Sequence, residues 1–391
     1  MTSPSPRPLL DGITGRHLAP LDGLRGLAIL LVMGYHFCLP HAKFHGRDAG
    51  WLLQLGQVGW MGVDLFFVLS GFLITGILHE TRHQPHYFRN FFWRRFLRIW
   101  PLYYASLAVL LVVLPAVLPS VPDSLRSMQE KQWWFWLYSA NWLFAREGGF
   151  NDTSGGYFWS LAVEEQFYLL FPLLLMSIAL LLFSLGLRLA LLPLGTSTGT
   201  LYTMTFTQLA GLAVGSVLAL WSRSADHTRL LQRIALPVAV AAVFGLLVAR
   251  HFDRDMFFWS KHMAAYGYSL VALLGGALLV AVLKAPAGSM LTCIFTLAPM
   301  RMCGKYSYAL YVVHVPIANI AFPATSGLAQ RLAPGTAYDV VFLASVLLSF
   351  ALSWIVAVLS WHLFEKRVLE LKRHFTYEAR PSRPAADPVP R

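Results

Sequence analysis

The chain has 391 residues, of which 57% are hydrophobic and 13% charged, with a mean hydropathy of +0.56. A soluble domain keeps about a quarter of its residues charged to cover its surface, so the composition excludes an ordinary soluble enzyme and a disordered chain, leaving an integral membrane protein with many spans. The formal charge is +12, from 31 Lys and Arg against 19 Asp and Glu, but the basic residues cluster beside apolar runs, as the positive-inside bias produces, and nucleic acid is not an expected partner.

In chain order, residues 1–17 are polar and Pro-rich, and no short apolar stretch ending in a small-residue cleavage site follows them. The first apolar segment, 21–39, is therefore expected to be retained as a helix. A spanning helix takes about 20 apolar residues. The further segments that qualify are 58–78, 99–118, 160–183, 204–221, 234–250, 266–283, 302–321 and 340–362, with 186–203 a short extra candidate. The block Gln132–Phe144 carries Trp133, Trp134, Trp136, Tyr138 and Trp142, a composition suited to a membrane interface or a re-entrant piece.

Orientation is read from the arginines. Arg82, Arg89, Arg94, Arg95 and Arg98 stand in a stretch with no acid between Glu80 and Asp123, and the 222–233 loop and the segment after Lys366 are also basic. Those stretches are expected to face the cytoplasm, as are both termini, which requires an even number of spans. The fold class expected is an all-α polytopic bundle of about ten spans in the cell membrane. It divides into an N-terminal segment 1–17, a membrane domain 18–370 and a cytoplasmic tail 371–391, expected to be disordered because it is rich in Pro, Arg and Ala. Cys38, Cys293 and Cys303 have no paired or metal-ligand spacing. They are read as small buried hydrophobes, and no metal is expected.

Ionisable residues inside apolar spans are costly unless paired or hydrated, so each is a functional hypothesis. Arg25 and His36 are eleven positions apart in the first span, on one helical face and separated by ~16 Å of axial rise. Arg25 also has a structural reading, an i,i+3 pair with Asp22. Asp64 stands in Gly62-Val63-Asp64-Leu65-Phe66-Phe67-Val68-Leu69-Ser70-Gly71-Phe72. Ser160, Glu164 and Tyr168 form an i, i+4, i+8 stripe, while Glu165 points about 100° away from Glu164, so one of the two carboxylates is functional and the other structural. Ser307, Tyr311 and His314 share a face of a later span. The orientation places His36, Asp64, Glu164, Glu165 and His314 at similar depth towards the outer side. Arg94, Arg95 and Arg98 lie on the opposite side, where guanidinium groups suit an anion.

The Arg25/His36 helix, the Gly62–Phe72 segment, the run Arg95-Phe96-Leu97-Arg98-Ile99-Trp100-Pro101-Leu102-Tyr103, Ser160–Tyr168 and Ser307–Pro316 together resemble the membrane-bound acyltransferase 3 family, in order and over residues 18–370. The resemblance implies a ten-helix O-acyltransferase that uses acyl-CoA to modify sugars of glycans, glycolipids or secreted glycosides. It implies His36 as the central catalytic residue, Arg25 as its motif partner, and Arg95 and Arg98 near the donor. Some members carry a fused extracytoplasmic hydrolase-like domain, which is not expected here, and 184–203 is shorter than in most.

On this reading acyl-CoA, most simply acetyl-CoA, is the donor and a carbohydrate hydroxyl the acceptor. His36 is the base, since imidazole titrates near working pH, oriented by Glu164, Glu165 or Asp64 as a carboxylate orients the base of a triad. Arg94, Arg95 and Arg98 are expected to hold the donor, and Ser160, Tyr168, Tyr311 and His314 to line the substrate site. Partners are the bilayer, acyl-CoA and the glycan or glycoside, and self-association as a homo-oligomer is compatible with the sequence. The competing class is a transporter or flippase, because intramembrane Arg, His and Glu also build proton relays.

Overall fold

The computed structural model describes residues 18–42, 56–151, 153–174, 177–332 and 338–377. Over these the protein is helical, and no strand occurs among them. Its longer helices are α1 (Ala19–Ala42), α2 (Met61–Thr81), α3 (Tyr87–Val117), α4 (Phe158–Leu174), α5 (Ser177–Leu191), α6 (Leu209–Trp221), α7 (Ala225–Asp253), α8 (Met263–Lys284), α9 (Ser307–Leu332) and α10 (Tyr338–Ser360). Seven of the described helices, α1, α2, α3, α7, α8, α9 and α10, are long and apolar enough to cross a bilayer, and α5 and α6 are shorter apolar helices. The chain is a multi-pass membrane protein.

Several boundaries differ from those expected. The basic run 89–98 belongs to the same helix as the apolar segment 99–118, so α3 is 31 residues long. Within the segment expected at 160–183 the described residues belong to α4, up to Leu174, and to α5, from Ser177, and 186–203 does not form one helix: α5 ends at Leu191 and a separate short helix runs Thr198–Thr203. Pro193 and Gly195 interrupt that stretch, and both disfavour a continuous helix. The segment expected from 302 to 321 is broken at Tyr306, with Ala298–Lys305 a short helix before α9. Of the three cysteines, Cys303 is buried and Cys38 half-buried, but Cys293 is exposed. Residues 1–17 and 378–391, to which the N-terminal segment and most of the tail were assigned, lie outside the described residues.

Backbones meet at glycines, which lets helices associate without large side chains between them. A Cβ added at Gly71 of α2 would lie 2.0 Å from the Leu212 carbonyl oxygen, and one at Gly215 of α6 would lie 2.0 Å from that of Val68. Thr75 Oγ1 donates to Ser216 Oγ across the same crossing at 2.8 Å. In α1, Gly23 and Gly26 sit against the carbonyl oxygens of Phe295 and Met300, and a Cβ at Gly304 would fall 1.8 Å from the Asp22 oxygen. The Asp22-Gly23-Leu24-Arg25-Gly26 motif is therefore steric as well as chemical. Its glycines seat the Ala298–Lys305 helix, with Arg301 and Lys305, beside Asp22 and Arg25.

The aromatic block forms two short helices, Gln132–Trp136 and Ala140–Glu147, that lean on α3. Tyr103 Oη donates to the Phe135 carbonyl at 2.7 Å and Tyr104 Oη to that of Trp136 at 3.0 Å, and the Tyr103 and Tyr138 rings stack at 4.0 Å. After α10 the chain turns through Trp361–Glu365, Lys366–Glu370 and Leu371–His374. Residues 371–377, expected to be a free tail, instead run along α3. Asn90 Nδ2 donates to the Thr376 carbonyl at 2.9 Å, Arg94 Nη1 to that of Phe375 at 3.1 Å, and Phe375 stacks on Trp93 at 5.4 Å.

Candidate active site

Two histidines from the first and ninth long helices face each other inside the bundle. His314 is fully buried, and its Nε2 lies 3.1 Å from Nδ1 of His36. The tautomers follow from what surrounds them. His314 Nδ1 stands 2.7 Å from the Tyr311 carbonyl and 3.1 Å from that of Leu310, and His36 Nδ1 stands 2.9 Å from the Val32 carbonyl. A carbonyl only accepts, so in the neutral rings each Nδ1 carries the hydrogen and each Nε2 the lone pair. His314 Nε2 then accepts from His36 Nδ1, and His36 Nε2 is left as the basic nitrogen. The side chain hydrogen-bonded to His36 is a second imidazole, and among the described residues no hydrogen bond joins Asp64, Glu164 or Glu165 to His36.

Below this pair the Ser160–Glu164–Tyr168 stripe of α4 descends towards the arginines. Ser160 Oγ is 2.5 Å from Tyr311 Oη, which donates to the Tyr157 carbonyl at 3.0 Å, and the Tyr311 and His314 rings are 5.7 Å apart. Two turns further along α4, Tyr168 is hydrogen-bonded to Ser70, and Arg95 lies over its ring at 5.6 Å. Glu164 stands between these levels, a turn closer to the guanidinium groups than the depth read from the sequence, because four residues advance a helix by ~6 Å.

A narrow cavity of about 110 Å³ follows the stripe, lined by Ser160, Glu164, Tyr168 and Tyr311 at one side and Arg25, Arg95 and Arg98 at the other. The same three arginines also line a wider cavity of about 710 Å³, together with Arg94, Arg301, Lys305, Lys372 and Asp22. Arg25 makes the i,i+3 ion pair with Asp22, at 3.7 Å, while lining both cavities; its structural and functional readings are compatible. Tyr377, also on the wide cavity, has its hydroxyl pushed above its ordinary value by burial, which keeps it protonated and able to donate.

The two adjacent glutamates are separated as the helical geometry requires. Glu164 faces the cavity; Glu165 accepts from Trp100 Nε1 at 2.9 Å, and its other oxygen is buried without a hydrogen-bond partner among the described residues. Asp64 is 2% exposed and sits in the field of Arg188 rather than beside the histidines. Sequence reasoning missed Arg188. Its side chain is fully buried, with Nη1 donating to Ser184 Oγ at 2.9 Å and Nε to the Ala265 carbonyl at 3.3 Å, and with further bonds to the Thr207 carbonyl and Ser269. The available signal was a lone cation in the apolar run Ser177–Leu191. Among the described residues no three His, Cys, Asp or Glu side chains are grouped to hold a metal.

The sequence profile of an acyltransferase domain, acyltransferase 3, matches residues 18–358. The chain belongs to the acyltransferase 3 family. This acyltransferase is 28% identical over 335 residues to the peptidoglycan O-acetyltransferase OatA of Listeria monocytogenes, covering 79% of the chain and 50% of the relative. It is 30% identical over 329 residues to the O-acetyltransferase OatA of Staphylococcus aureus, covering 77% and 51% respectively. It thus spans about half the length of the curated relatives it matches. No solved structure matches it at a significant level. Membership of an acyltransferase family favours the enzyme over the carrier.

Proposed function

We propose that this protein is a membrane O-acyltransferase that moves an acetyl group from acetyl-CoA to a hydroxyl of a sugar in a cell-wall glycan, the acceptor class named for its relatives. The observation that carries this reading is the His36–His314 pair, set at one end of a polar stripe whose other end meets a cavity rich in guanidinium groups. Arg94, Arg95 and Arg98 suit the phosphates of the donor, which supplies an activated thioester. The ~16 Å of rise between Arg25 and His36 sets the distance its arm has to cross.

In the transfer, His36 Nε2 takes the proton of the sugar hydroxyl as its oxygen bonds to the thioester carbonyl carbon, because a sugar hydroxyl ionises far above neutral pH. The C–S bond then breaks, and the thiolate recovers the proton from His36. His314, assigned from sequence to the substrate, acts instead by accepting from His36 Nδ1, which fixes the ring and stabilises its protonated form. Glu164, Ser160 and Tyr311 provide the polar wall of the narrow cavity. Tyr168 and Ser70 link that wall to Arg95, while Arg188, with Asp64 in its field, holds the neighbouring helices through its own hydrogen bonds.

The same reading gives ten crossings by α1 to α10 of the cytoplasmic membrane, with both termini and the arginine cavity cytoplasmic. The short helices α4, α5 and α6 cross where neighbours and local bilayer thinning accommodate them. Membrane domain and tail would meet near residue 377. The test is the purified protein in proteoliposomes with labelled acetyl-CoA and peptidoglycan fragments. Acceptor-dependent release of CoA, lost in His36→Ala with donor binding retained, is the expected result. Full transfer by His36→Ala removes His36 from the chemistry, and solute movement without CoA release supports a carrier.

A further inference from the structure

The 710 Å³ cavity holds seven cationic side chains against one carboxylate, Asp22. They come from four separate parts of the chain: α1, α3, the Ala298–Lys305 helix and the segment after α10. Like charges at this density repel one another in a partly buried setting, and a polyanion relieves the repulsion. Arg301, Lys305 and Lys372 play no part in the transfer chemistry, yet they face the same space as the α3 arginines.

The attachment of residues 371–377 explains how Lys372 and Tyr377 reach that space. The segment is held on α3 through its backbone, with the carbonyls of Phe375 and Thr376 accepting from Arg94 and Asn90, and by stacking of Phe375 on Trp93. Its Lys372 and Tyr377 side chains are thereby left on the cavity wall. Phe91, Trp361 and Tyr377 add aromatic surface to the same wall, which suits a purine ring. The wide, basic, aromatic chamber narrows at Arg25, Arg95 and Arg98 into the slender cavity. That shape matches a ligand with a phosphorylated nucleotide at one end and a thin arm at the other.

We propose that residues 371–377 are part of the donor site, a strap whose Lys372 and Tyr377 act with Arg301 and Lys305 to bind the phosphorylated nucleotide of the acyl thioester. This rests on acyl-CoA being the donor and deepens that reading. The test measures binding of CoA and of 3′,5′-ADP by calorimetry to the full chain in phosphatidylcholine nanodiscs. Lys372→Met and Arg301→Gln are expected to weaken both ligands about 10-fold or more, as loss of a charge-assisted phosphate contact does. Lys372→Arg is expected to retain affinity, and Arg367→Gln, at an exposed residue outside both cavities, to bind as the unaltered protein does.

In the unaltered protein, CoA is expected to slow amide exchange across 371–377, a readout that needs no variant. Unchanged exchange, or undiminished affinity in both Lys372→Met and Arg301→Gln, overturns the strap while leaving the donor intact. Loss of CoA binding in nanodiscs containing phosphatidylglycerol identifies a lipid-headgroup site and overturns the nucleotide assignment. An unaltered protein that binds neither CoA nor 3′,5′-ADP overturns the acyl-CoA reading itself.

Discussion

His314 accepts a hydrogen bond from His36 across 3.1 Å, and its own Nδ1 is fixed by the carbonyls of Leu310 and Tyr311. The donors thus run from His36 Nδ1 through His314 Nδ1 to the backbone carbonyls of α9, which leaves His36 Nε2 as the ring nitrogen of α1 free to take a proton. Replacing His314 by Ala is expected to lower kcat by about 10- to 100-fold, less than the roughly 10²–10⁴-fold contribution of a general base itself because His314 only positions that base, and to leave the KM for acetyl-CoA near its original value. His314→Gln, whose side-chain oxygen also accepts, is expected to recover part of the rate. Steady-state kinetics with each variant separate this positioning role from loss of the fold, which would lower both donor affinity and rate.

The two glutamates of α4 are expected to respond differently. Glu164→Gln changes a charge on the cavity wall and should reduce transfer. Glu165→Gln retains an acceptor for Trp100 Nε1 and should leave activity within a few-fold. Trp100→Phe leaves the Glu165 oxygen bonded at 2.9 Å without its donor, beside an oxygen already unpartnered, and should cost about 1–3 kcal/mol of stability. Transfer rates and thermal unfolding in detergent check the three variants together.

Gly304→Ala places a methyl group 1.8 Å from the Asp22 carbonyl oxygen, whereas among the described residues nothing lies within 4 Å of a Cβ at Gly34. The first substitution is expected to push α1 off the Ala298–Lys305 helix, at a cost of at least about 1–3 kcal/mol, and to weaken donor binding because Arg25 moves with α1. Gly34→Ala is expected to be neutral or to raise the unfolding temperature, since Ala is the better helix former. Melting curves of the two variants supply the comparison.

Arg188 satisfies its guanidinium from α5, the Thr205–Thr207 turn and the start of α8. Arg188→Met removes the charge acting on buried Asp64 and the donors to two carbonyls. The expected loss is about 1–3 kcal/mol for each carbonyl left buried without its donor. Adding Asp64→Asn should recover part of it. A double-mutant cycle read by thermal unfolding checks the coupling.

The sequence by itself determined the class of molecule and the helical faces on which the candidate residues stand. Too few charges to cover a soluble surface left a membrane bundle. Helical periodicity put Ser160, Glu164 and Tyr168 on one stripe and separated Glu164 from Glu165, because 3.6 residues per turn is a local property. The same periodicity kept Arg25 and His36 on one face.

Only the tertiary structure decided which stripe meets which. The partner of His36 is 278 residues away, and nothing local distinguishes an imidazole from a carboxylate as that partner. Arg301, Lys305 and Lys372 look like flanking charges in one dimension, and become one cavity wall because glycines let α1 and the Ala298–Lys305 helix touch and because α3 captures the chain after α10. Arg188 was unread because its satisfaction depends on hydroxyls and carbonyls that two other segments, the Thr205–Thr207 turn and the start of α8, bring to it. Side-chain periodicity fixes a face, but the identity of the facing group is a property of packing between distant segments.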